Sequence, residues 1–297
     1  MRALLALLCT SIVATAVLSR ADKPTTGDEA ARAAAKQLFA SLSDEQKALA
    51  NKDFGDKERS VEDFPARMRP GLPIAKLTAE QKALVEQALR GVTSEYGAKR
   101  CLEVAKQAPE QQRFINFFGN PATDERFAWR VVQHHLTLVY AEFGPKATEF
   151  GPVLLGGNPV KDLWADEEKI ALEFMAALTE AERKQVAGKG SNGSGAYLGK
   201  EGGLKFADLS AAAKPLAVKL LEQRLAVFSA ERKKAFEQLI TQAGGVDHLR
   251  IAFWGDASKG HLDGGVYHWK IGTAGILLDW QTASKNHLHM TVKAKLG

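Results

Sequence analysis

Asn286-His287-Leu288-His289-Met290, reached from Asp279 through Trp280 and Gln281, alternates polar and apolar side chains close to the C-terminus. A period of two belongs to an extended strand, so His287 and His289 share one face while Leu288, Met290 and Val292 turn to the other. The face with the apolar side chains is the one that meets a core. Working back from this strand, residues 249–254, 266–271 and 275–280 read as further strands separated by glycine-bearing breaks. An earlier block has the same character. Residues 113–118 suggest a strand, Gly119 to Ala122 a turn, 127–143 a long strand region, and 148–155 another strand.

Helical patterns occupy most of the remainder. An apolar residue followed by Ser or Thr recurs at Leu42-Ser43, Leu77-Thr78, Leu178-Thr179 and Phe228-Ser229. In the first three, Gln or Glu stands three residues after the hydroxyl. That is the capping box, so four helices are expected to begin at these positions. Uneven spacing between the four phrases argues against a solenoid. Helices before and between two strand blocks give an α+β class. The expected sheet is mainly antiparallel, built from residues 113–155 and 249–293 and packed with capped helices. Residues 54–73 carry three prolines and are expected to be irregular. The run from Gly188 to Gly195 lacks the phosphate-loop order and reads as a surface loop.

At 297 residues the chain can bury a full core, and 25% charged residues is ordinary for a globular protein. A formal charge of +5 with basic residues scattered among acids gives no support to nucleic-acid binding. Met1-Arg2, an apolar run to Leu18 and small residues at Ser19 and Ala21 read as a signal peptide over residues 1–21. Its removal takes away Arg2 and Arg20 and no acid, leaving +3. The rest, 22–297, is expected to form a single domain, secreted or periplasmic, with no stable membrane anchor after cleavage. Cys101 is then the sole thiol, so no intramolecular disulfide can form, and its apolar neighbours Leu102 and Val104 suit core packing.

The chemistry-bearing residues are histidines. His134 and His135 are adjacent and, within a strand, would point to opposite faces. At most one would then join His287 and His289, and polarity favours His135. Three imidazoles with one open position suit zinc, copper or iron and can polarise a bound water. Asp279 is the candidate base or ligand-orienting acid, with Glu142 as a second. The alternative reading is packing, since strand histidines also serve as hydrogen-bonded core groups. His248, His261 and His268 lie in or beside the glycine-rich loop 255–265 and read as rim or surface residues. Trp254, Tyr267 and Trp269 make that region aromatic, which fits either edge-strand packing or stacking on a sugar or peptide.

Several phrases together resemble the domain of unknown function 3500 family of bacterial and fungal proteins, along almost the whole chain after residue 21. They include Leu72-Pro73-Ile74 with Leu77-Thr78, Phe117-Phe118-Gly119-Asn120-Pro121, and Trp129 through His134-His135. Gly156-Gly157-Asn158-Pro159, Tyr267-His268-Trp269 and Asn286-His287-Leu288-His289 complete them. The family pattern has Asp-Asn-x-Gln before the last phrase, and Asp279-Trp280-Gln281 departs from it. The resemblance implies a functional histidine cluster and no particular reaction. Three readings follow. One is an exported metal-dependent hydrolase. The second is a non-catalytic metal or haem carrier using the same histidines. The third is a carbohydrate- or peptide-binding module built on the aromatic loop 254–269 with Trp254, Tyr267 and Trp269, and Asn286 is a further candidate binding residue.

Overall fold

A computed structural model describes residues 27–62, 71–143, 147–158, 163–189, 193, 195–199, 202–284 and 286–297. The signal peptide expected over residues 1–21 lies outside the described residues, as does the centre of the proline-bearing stretch, 63–70. Part of the Gly188–Gly195 run does too. Among the described residues, no helix is long and apolar enough to cross a membrane.

The chain forms α1 (Asp28–Ser41), α2 (Asp44–Ala50), β1 (Asn51–Lys52), β2 (Leu72–Pro73), α3 (Ala79–Val92), α4 (Glu95–Ala105), β3 (Phe114–Phe118), β4 (Phe127–Gln133), β5 (Leu136–Glu142) and β6 (Glu149–Gly157). It continues through α5 (Ala165–Ala177), α6 (Glu180–Val186), β7 (Leu204–Lys205), α7 (Ala213–Leu225), α8 (Ala230–Gln242), β8 (Arg250–Gly255), β9 (Tyr267–Gly272), β10 (Ile276–Ser284) and β11 (His287–Lys295). The capping phrases start helices as expected. Ser43, Thr78 and Thr179 each accept a hydrogen bond from the backbone N–H three residues on, and Gln46, Gln81 and Glu182 reach back to the cap. Ser229 caps α8 without the reciprocal bond, and Ser94 caps α4. Each such cap contributes about 1 kcal/mol.

All the strands belong to one sheet in the order β1-β3-β4-β5-β6-β11-β10-β9-β8-β7, with β2 on β3. Pairing is antiparallel except for β1 on β3. One face carries Phe117, Trp129, Leu138, Leu155, Met290 and Trp280, which join residues of α1, α3, α4, α5, α7 and α8 in a continuous core. Burying each large apolar side chain contributes about 1.5–3 kcal/mol. The other face is mixed: His289, Lys270, Asp279, Thr291 and Lys293 lie on it, and so does a small apolar cluster of Phe118, Ala128 and Ala141. Among the described residues, loop segments lie over it: Thr137 donates to Glu62 O (3.0 Å), and Lys293 pairs with the Glu62 carboxylate (2.7 Å). Lys270 donates to Gly193 O (2.7 Å) and Ala196 O (3.0 Å), and the Gly195 N–H donates to Asp279 (2.9 Å).

Two findings depart from the sequence reading. The long strand region 127–143 is a tight hairpin, with Gln133 paired to Leu136 and only His134 and His135 between them. The second finding is an internal duplication. The order from α1 to β6 recurs from α5 to β11, with the one-residue bridge Ala187–Phe253 in the place of β1. Gly71-Leu72 and Leu77-Thr78 correspond to Gly203-Leu204 and Leu209-Ser210. Trp129 stacks on Tyr140 (5.8 Å) as Trp269 does on Trp280 (6.2 Å). Gly119 and Gly255 both take positive φ, 79° and 81°, directly after Phe118 and Trp254. The halves meet reciprocally: Ser94 N–H donates to Val227 O (3.0 Å) and Ser229 N–H to Val92 O (3.1 Å). Such mutual contacts between equivalent residues are those of an isologous interface.

Candidate metal centre

The four histidines converge from the β4–β5 turn and the first residues of β11. His134 and His135 leave the β4–β5 turn, which frees both from the strand rule that sends neighbours to opposite faces. The expectation that only one of them could join the site is therefore corrected: both do. His135 O accepts from Gly156 N–H (2.9 Å), tying the turn to β6. Gly156 is needed for close approach. A Cβ there would stand 2.2 Å from Leu288 O and 3.2 Å from the His289 ring. On β11 the alternation is as read, with Leu288 and Met290 fully buried and His287 and His289 half-buried on the opposite face. Asn286, one residue before His287, adopts φ 64°, a left-handed conformation that asparagine tolerates better than most residues. Its place in the β10–β11 turn sets where β11 begins.

His287 Nε2 lies 3.2 Å from both His135 Nε2 and His289 Nε2. One ligand atom from each of the four rings falls within 4.8 Å of all the others. Bonds of about 2.0–2.1 Å to a tetrahedral zinc would separate the nitrogens by about 3.3–3.4 Å. The two 3.2 Å pairs are close to that edge, while the group as a whole spreads within 4.8 Å. A ring nitrogen carries either one N–H or one lone pair, so His287 Nε2 can satisfy only one of two neighbours by hydrogen bonding. A metal ion accepts all the lone pairs together. Burial, reinforced by the neighbouring His134, His289 and His287, pushes the His135 pKa down to about 3, so this ring is neutral and ligand-ready at physiological pH. An all-imidazole set suits zinc, copper, iron or nickel.

The remaining sequence candidates fall elsewhere. Asp279 is buried on the same sheet face but outside the histidine group. Its two oxygens accept from Thr291 N–H (2.6 Å) and Gly195 N–H (2.9 Å). Burial raises its pKa, opposed by those two donors, Lys270 and Arg224. Asp279 thus ties a loop to the strand that carries His289. Glu142 sits at the far end of β5, bound by Arg32 (2.8 Å) and Tyr140 (2.7 Å). Tyr267 lies in the helix-covered core with its hydroxyl on Glu168 (2.5 Å), so it offers no exposed stacking surface. His261 is likewise buried, against the rim or surface position expected for it, with Nδ1 2.8 Å from Glu168. Trp254 is half-buried and pairs across strands with His268.

Residues 25–296 match the family described as Protein of unknown function (DUF3500). The chain belongs to this family. The match runs through both halves of the duplicated fold and includes all four histidines of this DUF3500 chain. No curated protein and no solved structure matches it.

Proposed function

We propose that this DUF3500 chain is an exported metal-dependent hydrolase whose transition-metal ion is held by His134, His135, His287 and His289. The observation that carries the reading is the convergence of four imidazoles, from the β4–β5 turn and the start of β11, with one nitrogen of each within 4.8 Å of the others. Three of the four histidines are partly exposed, which supports access by water and substrate, and catalysis needs a coordination position beyond the four rings. A bound divalent ion would supply Lewis-acid polarisation of a water or carbonyl. The protein's part is to keep His135 neutral by burial and to fix β11 through the Asp279 bond to Thr291 N–H. The charged start and apolar run of residues 1–21 support export.

Metal analysis of protein purified without an affinity tag tests the reading. About one equivalent of a transition metal, bound or taken up, is expected; none bound and none taken up overturns it. One observation favours a second reading, a non-catalytic metal carrier. Four imidazoles can fill a tetrahedral ion's positions, the closed arrangement of structural sites. A carrier takes up metal but turns over none of a panel of esters, amides, glycosides and phosphoesters.

A further inference from the structure

The register of the sheet lines up a row of side chains beside the histidine centre. Trp254 on β8 pairs with His268 on β9, His268 with Gln281 on β10, and Gln281 with His289 on β11. Cross-strand partners share a face, so these four stand side by side over about 14 Å, three strand spacings. All four are half-buried. The next row inward, Lys270 and Asp279, is buried, with the backbone of Gly193, Gly195 and Ala196 bonded to it. Trp254 Nε1 and His268 Nδ1 are both buried atoms with no hydrogen-bond partner. The indole is not singular in this, since Nε1 of Trp129, Trp164, Trp269 and Trp280 is also unpaired.

The duplication supplies an internal control. In the first half, the equivalent row is Phe118, Ala128 and Ala141, paired in the same order. It is apolar and buried, packed with Phe54 and Phe143. The fold therefore needs no hydrogen-bonding side chain at these positions. Only the half with His289 has an indole N–H, an imidazole and a carboxamide there.

We infer that Trp254, His268 and Gln281 form a subsite that lays a short neutral oligosaccharide across the sheet toward the histidines, an inference that rests on the hydrolase reading. The row holds no carboxylate, and the Lys270 ammonium beside it is already engaged over the Trp254 ring, 5.5 Å from its centre, which disfavours a charged ligand. Lys270, in the row behind, has its ammonium on two carbonyls. Burial and Lys270 lower the His268 pKa, keeping the ring uncharged. The row lies on a sheet face whose backbone groups are used in the ladder, so an extended peptide would find no strand edge to pair with. A ligand that brings its own hydroxyl donors and acceptors suits side-chain recognition. Gln281 offers both a donor and an acceptor next to His289. Trp254 closes the far end, its indole lying where a Cβ on Gly188 would come within 2.0 Å of the ring.

Calorimetric titration of the full chain with neutral oligosaccharides tests the subsite. The panel is β-1,4- and α-1,4-linked glucose, xylose, mannose and N-acetylglucosamine oligomers. At least one is expected to bind, in the metal-loaded and the chelated protein alike. The triple variant W254F/H268A/Q281A installs the residues of the first half's row, so it is compatible with this backbone. It should bind roughly tenfold more weakly or worse, with metal content and unfolding temperature unchanged. No binding by any member, or equal binding by the variant, overturns the subsite. Metal uptake without saccharide binding removes the subsite and leaves the hydrolase reading; saccharide binding without metal uptake does the reverse.

Discussion

His135 Nε2 lies 3.2 Å from His287 Nε2, although 152 residues separate the two along the chain. Such a contact forms only when β4–β5 and β11 are placed in one sheet, so the site reports on the complete fold. Metal should stabilise that fold. At one hundred times its dissociation constant, a ligand specific for the native state adds about 2.7 kcal/mol. At this chain length that corresponds to a rise of roughly 5–10 °C in unfolding temperature. Differential scanning fluorimetry with added zinc should show the rise for the native chain and none for His287→Ala. An equal rise in both places the metal elsewhere.

The duplicated half offers a replacement turn. Gln133-His134-His135-Leu136 corresponds to Thr273-Ala274-Gly275-Ile276 between β9 and β10, where Thr273 N–H donates to Ile276 O (2.9 Å). The double variant His134→Ala with His135→Gly should fold, because an equivalent hairpin already carries these residues. Its circular dichroism is expected to match the native chain, and its metal stoichiometry to fall to near zero. Retained metal at native affinity would show that His287 and His289 suffice.

Much of this was legible in the sequence, and the exceptions have physical causes. Alternation at 286–292 put His287 and His289 on one face correctly, because one side of β11 is buried and the period cannot slip. The His134–His135 turn was hidden. Val131, Val132, Thr137 and Val139 all favour strands, and neither histidine is one of the Gly, Asn or Asp residues that mark two-residue hairpins. Apart from Asn286, no described non-glycine residue takes positive φ, so this turn needs no such marker. The duplication was masked by loops of different length. The four capping phrases are also not all counterparts: Ser43 matches Thr179, but Thr78 matches Ser210 and Ser229 matches Ser94. Register across β8 to β11 depends on pairing between distant residues, so the row through His268 and Gln281 could not be read beforehand.

Cys101 should be chemically silent in the native state. It is fully buried on α4, and burial pushes its thiol up to about 12 despite the lowering influence of Arg100. The thiolate, the reactive form, is then scarce at pH 8. Protein lacking residues 1–21, and so Cys9, should not react with a thiol-specific disulfide reagent at pH 8 over minutes. In denaturant it should release about one equivalent at once. Rapid labelling of the native chain would contradict the buried placement and reopen a role for the thiol.

Glu168 links acid stability to the loop before β9. Burial would raise its carboxyl, but hydrogen bonds from the side chains of His261 and Tyr267 and from the His261 backbone outweigh it, holding the group below the usual range. A carboxylate with a lowered folded-state pKa contributes stability above the unfolded value of about 4.3, and loses it as pH falls through the folded one. Glu168→Gln should therefore cost about 1–3 kcal/mol at pH 7, the range for a charged hydrogen-bonded group. The difference should shrink as pH falls below about 4. Urea unfolding at pH 7, 5 and 3.5 measures it. A gap that stays constant across that range would mean that the carboxylate's charge adds nothing and that only its shape matters.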